Sequence, residues 1–363
     1  MEHRLNLPPE FLSQVCRNCS LASAGQAGHY SLCGVLLRLR QLYKWQHGLA
    51  PWQEPDSVAV LAWVEEEERL WEALEGAPFA PLAWGQDQFD PFAVEDLNKL
   101  LLPRDLAYGA GFNRHLAPTF FLGELAEVRH LEELTLLILG PEPARDLDGT
   151  PAMRQGNLIY VRKEALAFYL WDRLSDPMQQ HNRFLKLALK AHGLSRGALL
   201  KDPEAYQDQF RALLNAEVEA ALHHEIGEAR EPSLKDAFSL ILEHFPHTRI
   251  ELWVRALKDA LAEVNEQGRV QYLIREGQFA SLALMLAWRP GLYNLLLPEL
   301  EPAFWKFLDS GDWQVLEETR QVAYRRLADL AQDLEARLAA WGPPLPPHAL
   351  KDMETLYLAP LGV

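Results

Sequence analysis

LTLLIL (residues 134–139) and NLIYV (157–161) decide the fold, because each is a short apolar run with β-branched or aromatic residues and turn chemistry on its flanks. Between them runs PEPARDLDGTPAMRQG (141–156), whose Pro, Gly and Asp residues make a loop. Together the two runs predict a small β-sheet or hairpin. Upstream, Ser31 is placed to cap a helix through LCGVLLRLRQLYKWQ, which ends at Gly48. That segment is apolar nearly all round, so a buried helix is expected, with Arg40 and Lys44 snorkelling from its end. Further helices are expected over 57–75, with EEEER (65–69) as a solvated face, and over 93–101. YGAGF (108–112), with Arg114 and His115, reads as a packed glycine turn leading into a helix through PTFFLGEL (118–125). Its G-x-G lacks the third glycine and the preceding strand of a phosphate-binding loop.

After Lys163 the strand signals cease and about eight helices follow. The clearest of them runs from Asp312 to Trp341, with apolar residues at steps of three, four and seven, and Gly342-Pro343-Pro344 ends it. The expected fold is therefore mostly α: an N-terminal α+β domain over 1–165 and a C-terminal all-α helical bundle over 166–363. At 363 residues the chain has the length of two ordinary domains.

Composition narrows the function classes. The formal charge of −16 is spread over both halves, so no basic surface is available to track phosphates or an anionic membrane. No nucleic acid and no membrane are expected as partners; a small molecule or a protein fits better. Neither an apolar leader in MEHRLNLPPEFLSQ nor an unbroken run of 18 apolar residues is present, which points to the cytoplasm. Three cysteines are too few for a disulfide framework.

Those cysteines fall close together, and with His29 they give C-x2-C-x9-H-x3-C (Cys16, Cys19, His29, Cys33), the ligand types of a structural zinc ion. Buried or free thiols are the alternative. A second candidate is EVEAALHHEIGE (217–228). At about 100° per residue, Leu214, Val218, Ala221 and Leu222 define an apolar face and Glu225 points to its middle. His224, Glu225 and Glu228 then form one patch, with Glu217 seven residues before His224, while His223 faces solvent. A buried carboxylate must meet a cation, a metal or hydrogen-bond donors. Carboxylates and imidazole at three- and four-residue spacing are how helical bundles hold iron or manganese. Glu225 and Glu228 are the candidate catalytic groups, with a raised-pKa Glu225 as acid or base. The competing expectation is a salt-bridge network with Lys or Arg of a neighbouring helix, for which 247–265 offers Glu251, Arg255, Lys258 and Asp259. His244 and His247 are further possible ligands, and Glu142 to Asp146 is expected as a surface turn able to line a pocket.

SLCGVLLRLRQLYKWQHGLAPW (31–52), YGAGF with PTFFLGEL, ARDLDGTPA (144–152), HEIGE (224–228) and RALKDALAE (255–263) resemble an uncharacterised bacterial family of soluble proteins over nearly the whole chain. The resemblance implies a bacterial cytoplasmic protein and carries no activity, substrate or catalytic residue. The helical half is also similar in outline to heme-oxygenase-like metal-binding bundles. The leading expectation is a metal-binding helical protein, with iron, manganese or zinc as the divalent metal and chemistry on a small molecule. The alternative is a non-catalytic interaction or structural protein.

Overall fold

A computed structural model describes residues 7–113, 116–289, 291–342 and 344–362, so the first six residues, Arg114, His115, Pro290, Pro343 and Val363 lie outside it. The chain is 63% helical, and from residue 163 onward its secondary structure is all helical among the described residues. It divides into two compact units, the first reaching to Gln179 and including Gly197–Gln207, the second comprising Gln180–Arg196 and the chain from Asp208.

In the first unit, α1 (Pro9–Ala27), α2 (Leu32–Gln46) and α3 (Ser57–Leu74) precede a hairpin of β1 (Leu82–Trp84) and β2 (Asp87–Phe89), then α4 (Val94–Leu101). A curled sheet follows, built from β3 (Leu106–Phe112), β4 (Pro118–Leu131), β5 (Leu134–Leu139), β6 (Ala144–Arg145), β7 (Ala152–Gln155) and β8 (Leu158–Arg162), and α5 (Lys163–Ser175) leaves it. The order is β3-β4-β5-β8-β7, with β6 beside β4; β5 and β8 run parallel and the other pairs antiparallel. Both stretches first identified as strands, LTLLIL and NLIYV, are therefore hydrogen-bonded neighbours.

YGAGF and PTFFLGEL are not a turn and a helix; they are strands β3 and β4. The glycines serve close packing. A Cβ at Gly109 would overlap the ring of Phe121, and one at Gly123 would come within 2.8 Å of Leu139. Large side chains fold across the strand where its neighbours have none, a use of glycine that resembles turn chemistry in sequence. The expectation of a buried α2 is also overturned, since Leu32, Leu36 and Leu37 are 75%, 47% and 53% exposed. Its C-terminal half is the buried part. There Lys44 does not snorkel: it is 2% exposed, and its Nζ donates to the Pro51 carbonyl at 2.8 Å and pairs with Glu54 at 3.2 Å.

The helices after α5 are more numerous than expected: α6 (Arg183–Ala191), α7 (Arg196–Lys201), α8 (Gln207–Arg230), α9 (Lys235–His244), α10 (Arg249–Val264), α11 (Arg269–Arg275), α12 (Phe279–Ala287), α13 (Gly291–Leu296), α14 (Leu300–Ser310), α15 (Gln314–Trp341) and α16 (Ala349–Met353). α15 buries Leu316, Ala323, Leu327, Ala331, Leu334 and Leu338, as its periodicity dictates. α10 is capped by Thr248, whose side chain accepts from the Glu251 N–H, and it buries Trp253, Val254, Leu257 and Leu261. α8 meets the end of α10 without intervening side chains. A Cβ at Gly227 would collide with the carbonyl oxygen of Ala262, and one at Gly268 would strike the same oxygen.

Gly227→Ala is therefore expected to cost at least about 2 kcal/mol, because the obstacle is backbone and cannot rotate away. Gly25→Ala is the control: nothing lies within 4 Å of the place its new methyl group would take, and relief of helical glycine should add roughly 0.5–1 kcal/mol. Urea denaturation of the two variants checks both signs.

Candidate functional site in the helical unit

α8 carries the predicted patch and α10 carries its partners. His224, half-buried, places Nδ1 3.1 Å from Oε1 of Glu263, a residue only 1% exposed at the end of α10. Arg269, opening α11, donates from Nε to the other Glu263 oxygen at 2.7 Å and from a second nitrogen to Oε1. Glu228 pairs with Lys258 Nζ, and the Lys258 ammonium lies 4.9 Å from the Phe238 ring centroid. Arg255 is bound by Glu251 one turn earlier on α10.

These charges set one another's protonation. Burial opposes ionisation of Glu263, but the charges of Arg269 and His224 outweigh it and hold the carboxyl at about 2. Burial would likewise strip His224 of its proton, yet Glu263 opposite raises the imidazole to about 9. For Glu225 burial prevails: it pushes the carboxyl up to about 7, and the charges of His224 and Lys258 offset it only in part.

Among the described residues, one group of metal-ligating side chains converges: His224, Glu228 and Asp259 offer ligand atoms that all lie within 4.8 Å of one another. Glu225 is outside that group, and Asp259, which the sequence placed only on a charged stripe, takes the third position. Cys16, Cys19, His29 and Cys33 do not converge in this way. Cys16, Cys33 and His29 are exposed, whereas Cys19 is buried, directs its thiol to the Phe120 carbonyl at 3.3 Å, and is pushed up by burial. His244 and His247 are exposed and also lie outside the group. His223 does not simply face water: its ring stacks on Tyr272 with centroids 3.9 Å apart.

Glu263 and Arg269 escaped the sequence reading because one sits among apolar residues at the end of α10 and the other opens a separate short helix. The spacing of His224, Asp259 and Glu263 across two helices has no local signature. In the first unit, the expected surface turn at Glu142 to Asp146 is instead buried, with Glu142, Arg145 and Asp146 at 5%, 4% and 0% exposure. A run of charges between two apolar strands was the available signal there.

Two domain descriptions match the chain. The N-terminal domain of a family of unknown function, DUF6866, matches residues 10–162, and the C-terminal domain of the same family matches residues 167–354. The chain belongs to the DUF6866 family. The His224 cluster thus lies in the DUF6866 C-terminal domain, and the buried Glu142 to Asp146 segment lies in the N-terminal one. No curated protein and no solved structure matches the chain.

Glu217, about two turns before His224 on α8, is 8% exposed, and its Oε1 has no hydrogen-bond partner. Burial raises its carboxyl to about 7. Between the ordinary carboxylate value and about 7 the folded state binds the extra proton, so the stability this group contributes falls as pH rises and is fully lost above 7. Glu217→Gln removes the ionisable group and is expected to add up to about 3 kcal/mol at pH 8 and almost nothing near pH 4.5. Urea denaturation at both pH values measures the difference.

Proposed function

We propose that the helical domain binds one divalent cation through His224, Glu228 and Asp259. The observation that carries the reading is the convergence of these three ligand atoms from two packed helices, within 4.8 Å of one another. The surroundings support it. With Nδ1 engaged by Glu263, His224 keeps Nε2 for coordination, and Glu263 is itself clamped by Arg269; carboxylates in this position orient metal-binding histidines. Imidazole with two carboxylates suits iron, manganese or zinc. Asp259 is exposed, so solvent or a small substrate has access to such an ion. Glu225, raised to about 7, stands on the same helix as the group suited to exchange a proton near neutral pH.

A cytoplasmic location and a small-molecule or protein partner complete the proposal. The formal charge of −16 supports it against nucleic acid, and among the described residues no helix is long and apolar enough to cross a membrane.

One observation favours a second reading: the Lys258 ammonium already occupies Glu228. On that reading the cluster is a salt-bridge network joining α8 to α10, and the protein is a non-catalytic interaction or structural protein.

Chelator-treated protein titrated with Mn2+, Fe2+ and Zn2+, followed by calorimetry and mass spectrometry of the bound metal, separates the two. One ion per chain is expected, lost in Asp259→Asn and retained in Glu225→Gln and Cys19→Ser. Absence of stoichiometric binding, or undiminished binding in Asp259→Asn, assigns the cluster to the network.

A further inference from the structure

The first unit holds a buried cation with no hydrogen-bond partner on two of its three nitrogens. Arg145 stands on β6, which is fixed by pairing with β4 through Phe121 and Arg145. Its side chain is 2% exposed, and neither Nε nor Nη1 makes a hydrogen bond. The nearest carboxylate, Glu142, lies 3.8 Å from Nη1, beyond hydrogen-bonding reach, and both its oxygens are taken by Arg162. A further carboxylate near it, Glu164, accepts from the Glu142 backbone N–H at 3.0 Å. The rings of Trp45 and Phe168 flank the guanidinium, each centroid 5.8 Å from its carbon.

Leaving donors of a charged group unpaired in the interior costs more than the 1–3 kcal/mol of a neutral orphan. Apolar packing does not require such a group here, because a neutral side chain of similar length would fill the same space. The backbone nonetheless accommodates it. Gly149, at φ +58°, lies where any side chain would overlap the Arg145 guanidinium. The same arginine lines a cavity of about 410 Å3, bordered also by Leu42, Trp45, Pro143, Glu67 and Glu164. That volume suits a small metabolite, and the wall combines apolar side chains with one cation, Arg145, and the carboxylates Glu67, Glu142 and Glu164.

We propose that this cavity is a binding site for a small organic anion, a carboxylate or a phosphate monoester with an apolar body, whose anionic group pairs with Arg145. The apolar body lies against Leu42, Trp45 and Pro143, and the anionic group seats away from Glu67. Arginine is the suited partner for either anion, because its planar donors match both oxygen geometries. Nothing in this assignment depends on the helical cluster.

The test uses the full chain, with benzoate and phenyl phosphate as probes and matched sodium chloride as the control, read by calorimetry and by the melting temperature. At least one probe is expected to bind saturably and raise the melting temperature; a response to benzoate alone identifies a carboxylate, and a response to phenyl phosphate alone a phosphate. Arg145→Met is expected to abolish binding while melting, without ligand, at or above the wild-type temperature, since it removes a buried cation whose Nε and Nη1 donors are unsatisfied. Arg145→Lys keeps the charge without the planar donors and is expected to bind at least tenfold more weakly. No saturable response in the wild-type protein, binding unchanged in either variant, or a lowered melting temperature for Arg145→Met overturns the proposal.

Discussion

Arg162 and Glu142 are both wholly removed from solvent, and neither can be there without the other. Desolvating each ion costs several kcal/mol, which only close pairing and full hydrogen bonding offset. Arg162 meets that condition with both Glu142 oxygens, with the Thr150 carbonyl at 3.1 Å, and with the Phe121 ring 4.2 Å from its guanidinium carbon. Because Glu142 follows β5 and Thr150 precedes β7, one side chain ties down both ends of the intervening segment. Between those anchors Asp146, itself buried, accepts from the Phe120 N–H at 2.9 Å and from Gln26 at 3.1 Å, which fastens the same segment to α1. Arg145 sits at the middle of this frame.

The helical unit distributes its charge differently. Its acids and bases alternate along the contact of α8 with α10 and α11, from the enclosed Glu263–Arg269 pair to the more open Glu228–Lys258 pair. A closed pair of this kind fixes geometry, whereas charges at the rim remain able to exchange partners with solvent, an ion or a ligand. The first unit instead concentrates its ions beneath a sheet, where water cannot substitute for a missing partner.

Much of this was written in local sequence. Runs such as LTLLIL and NLIYV carry strand chemistry in themselves, and α15 carries its burial pattern at helical spacing, so sheet position and helical half could both be read directly. The strands at YGAGF and PTFFLGEL could not, because their glycines answer to Phe121 and Leu139 across the sheet. The apolar α2 misled for a related reason: hydrophobicity states what a helix can bury, not which half of it finds a partner. HEIGE did mark the place where titratable groups gather. Its partners Asp259, Glu263 and Arg269 lie 31 or more residues further on, and only the packing of α8 against α10 brings them near.

That packing bears on how HEIGE is to be understood in sequence comparisons. The glycine between Ile226 and Glu228 is held by the Ala262 carbonyl, an obstacle that no rotamer change relieves, and Gly268 meets the same oxygen. Mutational drift at these two positions is blocked by backbone geometry, whatever the neighbouring acids do. An invariant glycine inside HEIGE would therefore record the approach of two helices and not a chemical role.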